Sequence, residues 1–146
     1  MAIHQISVFL ENRAGQLAEI TALLAKNGVD LHAINIAETS DYGVLRLIAS
    51  HEPEACHVLR ENGFIYSTSE VIAAGVPDEP GGLSGLLQLL AENSVDVNYM
   101  YSIFGQPNGM AYMILRVSDT AAVAALLQKS GIALAGEDTL GIVAAH

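Results

Sequence analysis

The chain is predicted to be α+β: two copies of a βαββαβ unit in tandem, each an antiparallel sheet with helices on one face. Three observations predict this. The sequence repeats 66 positions on: Leu10–Leu17 lies over Val76–Leu83, Leu23-Leu24-Ala25 over Leu89-Leu90-Ala91, Asn27 over Asn93, and Val29-Asp30 over Val95-Asp96. The same shift sets Gly43 over Gly109 and Ile48 over Ile114, and a repeat of this length marks one supersecondary unit used twice. Apolar residues then alternate between a strand period and a helix period in the same order in both copies. Finally, Gly, Pro and Asn fall at the junctions, where turns need them.

The elements follow in order. Ile6, Val8 and Leu10 alternate with Ser7 and Phe9, as in a strand with one face on a core. Asn12 and Gly15 break that pattern. A helical stripe of Leu17, Ile20 and Leu24 comes next, closed by Asn27-Gly28. Val29–Thr39 is read as a second strand, Ser40–Gly43 as a turn and Val44–Ala49 as a third strand. Pro53 suits the first turn of a helix carrying Ala55, Val58 and Leu59, and Phe64–Ser67 is the fourth strand. In the second copy, Ile72, Ala74 and Val76 form the strand, and Leu83, Leu86, Leu87 and Leu90 the helical stripe. Val95–Phe104 and Met110–Val117 flank Pro107-Asn108-Gly109, a hairpin signal. Ser118 is expected to cap a helix with Val123, Leu126 and Leu127, and residues 132–135 and 140–143 are short strand candidates. No linker separates the copies, which divide at residues 1–68 and 69–146. This order is the ferredoxin-like arrangement.

Composition narrows the function. Sixteen acidic residues against six Lys and Arg give a formal charge of -10, which argues against nucleic acid and against anionic membranes. No apolar run reaches the roughly 20 residues that span a bilayer. Met1–Gln5 lacks the basic start of a secretory leader, and Cys56 stands alone. A cytoplasmic protein is expected.

The loop Asn12-Arg13-Ala14-Gly15-Gln16-Leu17, the helix with Ile20 and Leu23-Leu24, and Asn27–Leu31 together resemble an ACT domain. Pro77-Asp78-Glu79-Pro80-Gly81-Gly82-Leu83 repeats the pattern. Ala33–Ile36 and Tyr42–Arg46 are similar to small stand-alone tandem ACT proteins of the acetolactate-synthase-regulatory-like type. The resemblance covers nearly the whole chain. It implies a regulatory module that binds a free amino acid where ACT domains meet, a homodimer, and signalling to a partner such as a biosynthetic enzyme.

The chemistry of the loops fits that implication. A helix N-terminus offers unpaired N–H groups and partial positive charge to a carboxylate. Gly15, and Gly81 or Gly82, would permit positive φ and close approach of a ligand to the backbone. Asn12, Asp78 or strand groups near Asn35 and Tyr101 would accept from an ammonium. The ligand-binding set is therefore Asn12, Arg13, Ala14, Gly15, Leu17 and Asn35 in copy one, with Asp78, Gly81, Gly82 and Leu83 in copy two. Asn98, Tyr99, Met100 and Tyr101 add a candidate wall, which also reads as a half-buried strand. By pattern alone each loop reads as a plain strand-to-helix connection with an Asn or Asp cap, and it is the resemblance that favours a site. Arg46, in line with Val44 and Ile48, suits either an exposed sheet face or a carboxylate contact.

No catalytic pattern competes. Cys56 has no neighbouring base, Gly81-Gly82 lacks the Lys and Ser/Thr of a phosphate loop, and the five His show no metal-ligand spacing. The protein is expected to be no enzyme and to need no cofactor or metal. Two other readings stay open: a subunit that docks to an amino-acid biosynthetic enzyme with a degenerate ligand site, and an ion sensor using His51 and His57. Tyr99 and Tyr101 tilt the ligand toward a polar or aromatic amino acid such as histidine.

Loop one carries Asn12 and Arg13 where loop two carries Asp78 and Glu79, so the loop-one site is expected to be the tighter for a carboxylate. Calorimetric titration should show a larger loss of amino-acid affinity for Asn12→Ala than for Asp78→Ala; the reverse order would sink the idea.

Overall fold

The computed structural model describes residues 3–11, 13–38, 41–103, 109–140 and 142. The chain divides into two compact units. His4–Ser69 with Leu140–His146 forms one, here copy one, and Glu70–Thr139 with Met1–Ile3 forms the other, copy two. Among the described residues there are seven strands and four helices.

Copy one contains β1 (Ile3–Leu10) from His4 onward, α1 (Gln16–Lys26), β2 (Leu31–Glu38), β3 (Gly43–Ala49) and α2 (Glu52–Glu61). Copy two contains α3 (Gly82–Glu92), β5 (Val97–Ser102), β6 (Met110–Val117), α4 (Thr120–Lys129) and β7 (Leu134–Ala135). β4 (Tyr66–Pro77) begins in copy one and ends in copy two. Strand order is β2-β3-β1-β4 in copy one and β5-β6-β4-β7 in copy two. β3 pairs antiparallel with β1 and β2, and β6 antiparallel with β4 and β5. The copies match bond for bond at the inner strand: Phe9 N–H donates to the Ile65 carbonyl at 2.9 Å and Gly75 N–H to the Ala133 carbonyl at 2.7 Å.

Strand alternation aims one face of each sheet at two helices. In copy one, Ile6, Val8, Leu45, Leu47 and Ala49 meet Ile20 and Leu24 of α1 and Ala55, Cys56, Val58 and Leu59 of α2. In copy two, Ile72, Ala74, Val76, Leu115 and Val117 meet Leu86, Leu90, Val123, Ala124 and Leu127. Each fully buried Leu or Ile stabilises its copy by about 1.5–3 kcal/mol relative to exposure. The stripes expected from the sequence pack, except that on α4 Ala124 rather than Leu126 joins Val123 and Leu127 in the core.

Several expectations are corrected. The repeat offset does not stay at 66. Leu31 pairs with Ala49 and Val97 with Val117, so from β3 and β6 onward equivalent residues lie 68 apart, and Ile48 corresponds to Arg116 rather than Ile114. The extra two residues sit in the connection between β5 and β6, which is longer than that between β2 and β3. Ser118 does not cap α4: Asp119 does, its carboxylate accepting from Ala122 N–H at 3.0 Å. A carboxylate is the stronger acceptor and also meets the positive end of the helix dipole. The second strand starts at Leu31, not Val29, because Val29 N–H closes α1 by donating to the Leu24 carbonyl at 3.0 Å. The strands read separately at 64–67 and 72–76 merge into β4. Leu140 and Ile142 lie in no strand. Thr39, Ser40, Phe104, Pro107 and Asn108 lie outside the described residues.

α1 and α3 end alike. Asn27 and Asn93 donate their side-chain amides to the carbonyls of Leu23 and Leu89 at 2.8 and 2.9 Å. The next residue is left-handed in both copies, Gly28 at φ 73° and Ser94 at φ 56°. Ser there carries a Cβ penalty that Gly avoids. Ser94→Gly should raise unfolding free energy by about 1 kcal/mol in urea titration; an unchanged or lower midpoint would show that the serine is held by something other than its backbone.

Candidate functional site

The strand-to-helix junctions are built alike. Arg13 N–H donates to the Glu11 carbonyl at 2.9 Å, and Glu79 N–H to the Pro77 carbonyl at 2.9 Å. Gly15 (φ 88°, ψ -10°) and Gly81 (φ 90°, ψ -12°) then turn the chain into α1 and α3 from the left-handed region. Neither helix has a side-chain hydrogen bond at its N-cap; in copy two Gly82 N–H instead donates to the Glu79 carbonyl at 3.1 Å. Gly82 has a different task from Gly81: a Cβ there would collide with the Pro77 carbonyl oxygen.

At loop one this geometry opens a cleft of about 350 Å³, lined by Arg13, Ala14, Gly15 and Leu17 of the expected set. Leu10, Glu11, Gln16, Ile36, Glu38 and Gly43 complete it, and none of these six was assigned to the site from the sequence. Asn12 lies outside the described residues.

Gln16 holds the loop. Only 5% exposed, it accepts the Glu11 N–H on its side-chain oxygen at 2.6 Å. Its carboxamide nitrogen, with two donor hydrogens, belongs to a residue that lines the cleft. A buried polar residue at the first helical position was the signal in the sequence, hidden beside a leucine stripe.

The charge of loop one differs from the sequence expectation. Arg13 does not stand ready for a carboxylate, because Glu19 lies 3.1 Å and Glu11 3.5 Å from its guanidinium. The hydrogen bond to Glu19, with help from Glu11, raises the Arg13 pKa further. Glu11, already beside Arg13, and Glu38 are the carboxylates that line the cleft, and the start of α1, without a side-chain cap, lies beside the Gln16 amide.

The remaining expected residues are dispersed. Asp78 and Gly81 are exposed and Gly82 and Leu83 half-buried on loop two. Asn35 lies opposite Arg46 across β2 and β3, its side-chain oxygen accepting from the guanidinium at 3.1 Å. Asn98 falls at a strand irregularity and is exposed. Tyr99 and Tyr101 stack with ring centroids 6.5 Å apart. Met100, between them in sequence, points to the opposite face and packs in the helix-side core. The stretch 98–101 is therefore not one wall.

Elsewhere, Cys56 is buried in the core, and that burial pushes its thiol above the ordinary range, away from a nucleophilic thiolate. His51 caps α2, its Nδ1 accepting from Glu54 N–H at 3.1 Å. No described helix is long and apolar enough to cross a membrane.

Residues 1–143 match the family model described as ACT domain pair. The chain belongs to the ACT domain pair family. It is 34% identical to the crystal structure of protein BT0572 from Bacteroides thetaiotaomicron, with 98% of each chain covered and a TM-score of 0.89. The ligand-free regulatory subunit of aspartate kinase from Thermus thermophilus shares the fold: 14% identity, 87% of this chain and 91% of that one, TM-score 0.61. The corresponding subunit from Thermus flavus aligns at 14% identity over 86% and 90%, TM-score 0.58. No curated protein matches the chain.

In this ACT pair, the Gln16 side chain ties loop one to α1. Gln16→Met keeps the length of the side chain but leaves the Glu11 N–H without its acceptor, a loss of about 1 kcal/mol. Urea unfolding should show it; an unchanged midpoint would mean that the loop is held without this bond.

Proposed function

We propose that this protein is a regulatory amino-acid-binding module rather than an enzyme, taking a free amino acid at the loop-one cleft. The observation that carries the reading is the pairing of opposite receptors in one space. The start of α1 has no side-chain cap and adjoins the Gln16 amide, while Glu11 and Glu38 line the same cleft. A zwitterion needs both: helix N–H groups and the dipole for its carboxylate, and carboxylates for its ammonium. Leu10, Leu17 and Ile36 leave room for a side chain against apolar surface. Loop two repeats the backbone without the buried glutamine, since Gly82 stands where copy one has Gln16, so the loop-one site is the stronger of the two.

Regulation would work by linkage. A ligand that prefers one arrangement of a homodimer of this chain shifts the population toward it, and a partner, such as a cytoplasmic biosynthetic enzyme, senses the shift. The ligand class we favour is polar or aromatic, histidine among them.

A thermal-shift screen of the dialysed protein against the twenty amino acids tests this. Ligand at 100 times Kd should add about 2.7 kcal/mol, several degrees at this size. One chemically related group should respond, and Gln16→Met should reduce the response. Silence across the panel would overturn amino-acid binding.

A further inference from the structure

The two copies provide an internal control for surface residues. Four large apolar side chains are exposed among the described residues: Phe9 (45%), Ile36 (48%), Tyr42 (45%) and Ile65 (71%). All four lie in copy one. Ile36 lines the first cleft, but Phe9, Tyr42 and Ile65 line a second cleft of about 350 Å³ that shares Leu10, Glu11 and Gln16 with it.

Strand register gives their counterparts in copy two. Phe9 pairs with Val44 as Gly75 pairs with Tyr112, so Phe9 corresponds to Gly75 and, stepping back from β3 and β6, Tyr42 to Met110. The matching bonds Phe9 to Ile65 and Gly75 to Ala133 make Ala133 the counterpart of Ile65. One fold thus tolerates Gly, Met and Ala where copy one exposes Phe, Tyr and Ile. Packing of the unit does not require these side chains. Exposing them costs solubility, and a cluster of this kind marks an interaction surface.

The rim indicates what sits there. Glu11, with its side chain 78% exposed, and Asp41 border the cleft, where copy two has Pro77 and Gly109. Arg13 is shared between Glu11 and Glu19, so that triad keeps one net negative charge and Asp41 adds another. Phe9 and Tyr42 lie with ring centroids 6.1 Å apart at a 53° tilt, and an aromatic face also attracts a cation. A second copy of this chain would bring the same acids and a formal charge of -10 to the contact.

From this contrast between copies we infer that the Phe9–Tyr42–Ile65 cleft docks a segment of a different, basic protein: a large apolar anchor flanked by Lys or Arg. The inference does not rest on amino-acid binding, since Phe9, Tyr42 and Ile65 line only this second cleft, although Leu10, Glu11 and Gln16 border both. The acidic rim would speed association and make it salt-dependent, while the apolar anchor would set the dissociation rate.

The test is a displayed library of random peptides selected against the full chain, with the enriched peptide then synthesised and titrated by NMR. Expected are sequences with an aromatic or aliphatic anchor next to Lys or Arg, shifting resonances of Phe9, Tyr42 and Ile65. Affinity should fall about tenfold in Ile65→Ala or Tyr42→Met, substitutions that copy two already carries at the equivalent sites. Enrichment of acidic or uncharged peptides, equal binding by the variants, or failure to enrich any class would overturn the proposal. So would sedimentation showing that Ile65→Ala dissociates a homodimer, which would give the surface to a second copy. The amino-acid thermal shift, repeated on Ile65→Ala, should be unchanged, so that failure of one reading leaves the other standing.

Discussion

The left-handed glycine between first strand and first helix is the constraint on which the rest depends. Gly15 at φ 88° and Gly81 at φ 90° let the chain leave an inner strand and enter a helix that returns over the sheet. That return puts Ile20 and Leu24, or Leu86 and Leu90, onto the strand side chains beneath. It also leaves the helix N-terminus without a side-chain cap, because glycine has no side chain to supply one. One conformational requirement thus creates both the core and the polar opening beside it. A residue with a Cβ would resist the turn, and a capping Ser or Asp at that position would occupy N–H groups that no side chain takes at the start of α1.

Duplication has allowed the two junctions to diverge on a shared backbone. In copy one, Gln16 fills the space beside the loop and bonds to Glu11. In copy two, Gly82 brings the Pro77 carbonyl so close that no side chain fits. The same divergence appears at the strand ends, where aromatic and aliphatic groups of copy one meet Gly75, Met110 and Ala133 in copy two. Charge differs as well: loop two carries Asp78 and Glu79 with no arginine, whereas in copy one Arg13 is held by Glu11 and Glu19.

Much of this was legible from residue order. The core stripes, the helix ends at Asn27 and Asn93, the glycine junctions and the ferredoxin-like order all depend on local periodicity or on residues with special backbone freedom. The failures share a different cause. The shift from 66 to 68 lies in a loop, where insertions cost little, and only cross-strand pairing reveals it. Ser118 and Asp119 are both good caps, and the folded helix uses Asp119, whose carboxylate accepts from Ala122 N–H. Met100 follows the alternation rule, yet grouping residues 98–101 as one surface ignored it.

The sequence by itself determined which elements form, in what order, and that they form twice, because helix and strand periods and left-handed glycines act over a few neighbours. Tertiary structure decided which side chains share a space. Glu38 and Ile36 reach the loop-one cleft only because β2 pairs with β3 and β3 with β1. Arg13 loses its availability to Glu19, six residues on in the first turn of α1. Phe9, Tyr42 and Ile65, far apart in the chain, become one cleft only when three strand ends meet. Long-range register sets these encounters, and no local pattern encodes a register between segments tens of residues apart.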